Sequence, residues 1–496
     1  MTIMCGLRLR AALAPCLCML LPVAAWAEPA QKPASAKTAV AMDCESNTIV
    51  PSRFTRVYIA LRNGKDGSGK TADDARDGSS VEKFDRILRC YSEGCEDPSA
   101  PRKSVKKTEN MIVCLGPGTF QTEGAYDFVI NVPHKSARGF TIGKGWKIHG
   151  SGKDKTTVRL AAYLAIKAVP NPQNVPVGTG LGLVFGTNSD AASNVEISDL
   201  TIDANYPELK AQATREGIKA LNLEAIHLRS DHGDNWIHDI RVLHTSGEIG
   251  LINIKWETFP VLIYSVKPGS SPEENRGNVI ERVSMSEYGG GACTAIAVAN
   301  ALVEVRNNRV EGYMIAYGGW VLGQVSFHDN IAIGTEYGFN IDSLVNRGVI
   351  IERNLIVGPR KYGIVIGGGG TFDNFIIKNN TIQIEQTGVI GLVLRGNVTK
   401  SLIQGNNILW RGRSTLGAKL FGATAIRNYS SEQSGPNRAN SYQGNKISAN
   451  LTITFNRPSR ASDNCFYENR DESGGLLRGV SNSKNACAIL TGSAAQ

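Results

Sequence analysis

The chain has 496 residues, 42% of them hydrophobic and 20% charged, with a formal charge of +9, ten cysteines and seven histidines. The charge excess is modest and suits an anionic glycan or cell-surface partner; surface charge for solubility explains the same count. No Cys-x-x-Cys or His-x-x-x-His pairing gathers four ligands, which argues against a structural zinc site, and the composition offers no nucleic-acid-binding motif.

Arg8 and Arg10 precede an apolar run from Ala11 to Ala25, and Ala25-Trp26-Ala27 has the small-x-small form of a signal-peptidase site. Residues 1–27 are therefore expected to be a signal peptide cleaved after Ala27, giving a secreted or periplasmic product. The run is too short for a stable membrane span. Without the leader, which carries Arg8 and Arg10 and no acid, 52 basic residues face 45 acidic ones, a net +7. Seven cysteines stay: Cys44, Cys90, Cys95, Cys114, Cys293, Cys465 and Cys487. Oxidising export favours local disulfides Cys90–Cys95 and Cys465–Cys487, with Cys293, in an apolar run, as a buried free thiol.

Residues 28–110 read as a Pro, Ala and Lys tether followed by a capping region. GKDGSGKT at 64–71 matches a phosphate-binding loop, yet Asp73, Asp74 and Asp77 follow it and Gly78 interrupts any helix. A solvated loop fits better, and no nucleotide is expected. VEKFDRILRCY at 81–91 is an amphipathic helix with Val81, Phe84, Ile87 and Leu88 on one face and a capping box from Ser79 and Glu82. An open stack of strands needs such a cover.

From 194 to 410 one phrase recurs: a short apolar strand, one or two Asn or Asp, a second strand, a glycine. It appears as NVEISDLTI, VEVRNNRVEG, VSFHDNIAIG, IIERNLIVG and FIIKNNTIQI. The turn residues Asn308, Asn330, Asn354, Asn380 and Asn407 are separated by 22, 24, 26 and 27 residues. Such units cannot bury an apolar face alone and must stack, with Asn at the turn because it tolerates left-handed backbone and can bond the next Asn. The β-branched runs exclude helical repeats, and the period is too short for propeller blades. Residues 111–465 are assigned to this solenoid and 466–496 to a closing tail.

The NVEISDLTID-type coils, with CLGPGTF at 114–120, resemble the pectin-lyase-like superfamily of right-handed parallel β-helices. The resemblance implies an all-β solenoid and leaves the reaction open, since the superfamily includes polysaccharide lyases, glycoside hydrolases, epimerases, esterases and phage tailspikes.

Chemistry concentrates in 225–300. The segment from Glu224 to Tyr264 holds four of the seven histidines, and the intervals Asp199–Asp239 and Asp239–Arg282, 40 and 43 residues, imply projecting loops. If Ile226 and Leu228 point inward, alternation sends His227 and Arg229 outward. By the same rule Asn253 and Lys255 face out on a neighbouring strand, and Asn340 and Asp342 two coils on. A β-eliminating lyase needs a base near C5 of a uronate and a cation at its carboxylate. His227 or Lys255 would be the base and Arg229 the cation, with Asp231 and Asp234 at the groove edge. His232, Asn253, Trp256, Tyr264, Tyr288, Trp320, Asn340 and Asp342 are the expected substrate contacts. Calcium is the one cofactor this chemistry admits, should the acids hold it. A hydrolase would instead use two acids from Asp231, Asp234, Asp239, Glu248 and Glu257, although the superfamily's paired Asp-Asp step is missing. Asp231-His232-Gly233-Asp234-Asn235 read blandly is a polar turn, and a non-catalytic glycan-binding or attachment protein is the alternative outside enzymes.

Overall fold

A computed structural model describes residues 44, 52–96, 104–125, 139–166, 176–187, 192–230, 232–248, 258–265, 275–320, 323–342, 345–368, 370–412, 424–429, 437–448, 451–455 and 464–477. The chain winds as a right-handed parallel β-helix. Its three long sheets have 14, 12 and 12 strands among the described residues. One coil illustrates the path: Ile315–Trp320 in the second sheet, Ser326–His328 in the first, Ile331–Ile333 in the third, and Tyr337–Ile341 back in the second. Strands pair with the next coil in register, so each side-chain position becomes a column along the axis. Val305, Phe327, Ile351, Ile377 and Ile403 form one inward column of the first sheet, all fully or almost fully buried.

The repeat's asparagines do what was expected of them, at corrected positions. Asn308, Asn330, Asn354, Asn380, Asn406, Asn445 and Asn469 form a buried ladder between the first and third sheets. Asn406, not Asn407, is the rung; Asn407 opens the next strand. Each Nδ2 donates to the next rung's Oδ1 and to a carbonyl of the preceding coil, as Asn354 does to Asn380 at 2.9 Å and to Phe327 O at 2.9 Å. The left-handed residue is the one before each rung: Asn307, Asp329, Arg353, Asn379 and Gly405 all have φ between 53° and 61°. Earlier coils fill the rung position with Leu200, Ile240 and Val283, and the Val283 amide donates to Asn308 Oδ1 at 2.9 Å, where the ladder begins.

The N-terminal side holds more sheet than its composition suggests. Thr55–Ala60 pairs in parallel with Met111–Leu115, so the first sheet starts inside the region assigned to tether and cap. Cys44 bonds Cys114, which spacing did not reveal, and Cys90 bonds Cys95 as expected. Cys465 is disulfide-bonded as well, while Cys487 lies outside the described residues. Cys293 is a buried free thiol. Helix α1, Val81–Glu93, is capped by Ser80, not Ser79: the Ser80 side chain accepts from the Lys83 amide. Phe84 lies 5.2 Å from Phe120 and edge-on to Phe140, placing the helix against the first coil. In the loop at 64–71, the Gly64 amide donates to Asp77, Ser68 to Asp74, and Gly67 and Gly69 to backbone carbonyls. Its own aspartates thus occupy the donors a phosphate would need. Among the described residues no helix is long and apolar enough to cross a membrane.

Two predictions follow from these contacts. Asn354→Leu should cost about 2–4 kcal/mol, because it leaves the Asn330 amide without an acceptor and removes one donor each from Phe327 O and from Asn380 Oδ1, which keeps only the residue-354 backbone amide from this rung, in a dry interior; denaturant midpoints measure it, and a change below about 0.5 kcal/mol would refute the ladder's energetic role. Asp85 on α1 is buried, and burial pushes its carboxyl up to about 7 against the hydrogen bonds from Thr122 Oγ1 and the Glu123 amide. Its folded-state pKa exceeds the unfolded value, so stability should fall as pH rises from about 4 to about 7. Asp85→Asn, which reproduces the neutral acid, should melt further above the wild type at pH 8 than at pH 5. The same difference at both pH values would contradict the assignment.

Candidate functional site

The outer face of the second sheet carries two columns of particular interest. One runs His227, Leu262, Ala297, Gly318, Asn340 and Val365; the other runs Arg229, Tyr264, Ala299 and Trp320. Ile226 and Leu228 point into the core, as alternation requires. His227 leaves the sheet on the outer side, yet the segment around Phe259 covers it: only 1% of the residue is exposed. Its Nε2 donates to Phe259 O at 2.7 Å and sits 3.1 Å from Glu224 Oε2, while the Phe259 amide donates to Glu224 Oε1. This pair fastens the covering segment to the sheet, so His227 in this arrangement cannot reach a substrate carbon. The correction has a plain physical cause: period-two alternation gives direction, and a later, non-local segment decides exposure.

The remaining expected residues divide. Lys255, Asn253, Trp256 and Asp231 lie outside the described residues. His232 and Asp234 are exposed in the turn after residues 220–229. Beside them Asn235 is buried, accepting from the Val195 amide and donating to Ser230 and Asn278. The turn's polar composition thus holds coils together at its buried positions. Tyr288 stacks on buried Tyr313 at 4.7 Å, and its hydroxyl interacts with Cys293; it packs inward and is not a sugar platform. Tyr264 and Trp320 do share the outer face. With Phe259, whose ring is 4.8 Å from Trp320, they form an apolar cluster over Leu262, Ala297 and Ala299. Asn340 and Asp342 follow on the next strand, half-buried.

A second outer cluster escaped the sequence reading. Tyr337 and Tyr362, 5.3 Å apart, pack against Val365, Ile390 and Val393. Lys361 Nζ lies 5.9 Å from the Tyr337 ring centroid and the Arg395 guanidinium 4.9 Å from that of Tyr362. The signal for it was present: Tyr337 and Tyr362 immediately precede Gly338 and Gly363, each opening a short apolar run in successive coils.

Two charged assemblies lie elsewhere. Along the outer face of the first sheet, ion pairs run coil to coil from Lys147–Glu196 through Asp239–Arg282 and Glu281–Arg306 to Asp329–Arg353. Trp236 stacks on His238 in this strip, and its indole N–H donates to Glu281. Burial would raise the Glu196 carboxyl, but His238, His149 and Lys147 outweigh it and hold it at about 2. At the corner between the third and second sheets, Asp203 accepts from Arg159 Nε at 2.7 Å and from His244 Nδ1 at 2.8 Å. His244 Nε2 is 2.6 Å from Glu287 Oε2. His244 and Glu287 both occupy left-handed backbone, φ 52° and 59°, which costs a non-glycine residue roughly 1–2 kcal/mol. Among the described residues no group of three or more His, Cys, Asp or Glu is arranged to hold a metal.

No protein-family model matches the chain, and no curated protein sequence does. Solved structures of similar architecture include an exopolygalacturonase from Thermotoga maritima, 13% identical over 86% of this chain and 93% of that one with a TM-score of 0.49. A family 28 exopolygalacturonase from Yersinia enterocolitica is 11% identical over 85% and 79%, TM-score 0.44. The A-module of a mannuronan C-5 epimerase from Azotobacter vinelandii is 14% identical over 73% and 90%, TM-score 0.33. These are likenesses of fold, the pectin-lyase-like right-handed β-helix, and of nothing finer.

Proposed function

We propose that this is an exported carbohydrate-active enzyme, a polysaccharide lyase that binds a uronate-containing glycan along the outer face of the second sheet. The observation that carries the reading is the pair of aromatic clusters on that face, Phe259–Tyr264–Trp320 and Tyr337–Tyr362. The partly buried rings of Phe259, Trp320, Tyr337 and Tyr362 give pyranose faces a surface to stack on, and the cations Lys361 and Arg395 beside the second cluster suit carboxylated sugars.

Charge distribution favours elimination over hydrolysis. A hydrolase needs two carboxyl groups no more than about 9.5 Å apart. The outward acids of this face among the described residues, Glu224 and Asp342, stand on strands four coils apart, and at the usual strand spacing that is about 19 Å. Elimination asks instead for a base and a cation at the carboxylate, which Arg229 and Arg395 can provide. Of the two base candidates, His227 is spent on Phe259 and Glu224; Lys255 stays a candidate.

The test is a screen of uronate-containing and neutral polysaccharides that records absorbance at 235 nm and reducing ends together. Unsaturated products from a uronate glycan are expected, with Trp320→Ala weakening binding at least tenfold, about 1.4 kcal/mol, in line with a lost stacking platform. Saturated oligosaccharides would replace the lyase reading with a hydrolase, and binding without cleavage would favour an attachment protein. Export is checked by N-terminal sequencing of the secreted product, expected to begin at Glu28.

A further inference from the structure

In five successive coils the corner residue after the strand of the third sheet is left-handed, and in the last three of them it is glycine: Gly312, Gly334 and Gly358, with φ 79°, 60° and 57°. In the two coils before these, the corner residues are His244 and Glu287. Glycine is the unstrained choice for such a corner, so two adjacent coils accept a strain that the next three avoid, and the two side chains so placed touch each other. Backbone strain held by its surroundings is a pointer to function when an observed outlier carries chemistry.

The chemistry is specific. Asp203 is 2% exposed and is fixed by Arg159 Nε and by the Asn205 amide as well as by His244. It therefore sets the tautomer of His244: Nδ1–H donates to Asp203 Oδ1, and Nε2 faces outward. Nε2 and Glu287 Oε2, 2.6 Å apart, are both acceptors when unprotonated, so one proton lies between them. The side chains of His244, Arg159 and Glu287 are 28%, 39% and 54% exposed, so all three can be approached from solvent.

We propose that His244, Asp203, Glu287 and Arg159 form an acid–base centre for β-elimination on a uronate chain, a proposal that rests on the lyase reading above. Arg159 faces the uronate carboxylate. Nε2 of neutral His244 takes the C5 proton, and the C5–H electron pair becomes the C4=C5 double bond. The C4–O bond breaks with its pair going to the glycosidic oxygen, which takes the proton that Glu287 carried. Asp203 stabilises the imidazolium, whose new proton then passes to the Glu287 carboxylate and restores the starting state. Base, acid and cation are together at one corner, whereas the histidine of the sheet face is enclosed.

The decisive variant is His244→Gly in the full-length protein, because glycine is the residue the neighbouring coils use at this corner. Its melting temperature should equal or exceed that of the wild type, its KM for a uronate glycan should change little, and kcat read at 235 nm should fall about a hundredfold or more. Glu287→Gln, which keeps shape and removes the exchangeable proton, should lower kcat and delete one limb of its pH profile, which a merely structural contact would not do. Unsaturated product formed by His244→Gly within threefold of the wild-type rate overturns this centre while leaving the lyase reading intact; so does activity abolished by Lys255→Ala but not by His244→Gly. No unsaturated product from the wild type on any uronate glycan overturns both.

Discussion

Everything in this protein depends on closing each coil with the same path as the last, so that strands stay in register along the axis. A strand one residue out of register would turn its apolar side to water and its polar side to the core. The corners enforce the register. A left-handed residue turns the chain between the first and third sheets, and the next residue locks that turn to the following coil, by packing at Leu200, Ile240 and Val283 and by the asparagine ladder from Asn308 onward. Buried amides satisfied on both sides contribute little net energy each, but leaving one unmade is costly, and that asymmetry makes the ladder a register device more than a source of stability.

A scaffold with enforced register turns each outward position into a row, and the rows differ in kind. The first sheet presents a strip of alternating charge in which carboxylates and cations neutralise one another coil by coil. The carboxyls of Glu281 and Glu304 are held low by their arginine and histidine partners, burial notwithstanding. Such a strip binds itself, and it leaves little unmatched charge to offer a ligand. The second sheet presents rings and aliphatic carbon packed on one another, with Phe259, Trp320, Tyr337 and Tyr362 only partly covered, and it is the face proposed to bind. The contrast between a self-neutralised face and an apolar one, on the same repeating backbone, is the ground for proposing the second sheet as the binding face.

What could be read from the sequence followed locality. The solenoid, the buried Cys293 and the outward direction of His227 and Asn340 are consequences of period, alternation and neighbouring residues, all within one coil. Features made by residues far apart were not legible. Cys44 meets Cys114 across 70 residues, and the cover over His227 comes from Phe259, 32 residues on. The ladder rung was misplaced from Asn406 to Asn407 because two adjacent asparagines share the turn and periodicity alone cannot say which points inward.

The corner centre belongs to a third class, local in sequence and legible, but only by exception. Aligning the phrases that end VEG, AIG and IVG with those that end VLH and MSE places His244 and Glu287 on glycine positions. Of the five coils that turn left-handed at this corner three use glycine, and the two that accept the strain place there a side chain that glycine cannot supply. At this corner two strained copies are adjacent, each contributes a titratable group to the same contact, and a buried carboxylate orients the pair. Ion pairs between left-handed residues of adjacent coils also occur on the first sheet, at Asp239–Arg282 and Asp329–Arg353, so this corner is set apart by its half-exposed histidine held between a buried carboxylate and an exposed acid. The chemistry proposed for this protein thus sits at a corner that the next three coils fill with glycine, where the two side chains are additions to the turn and not requirements of it.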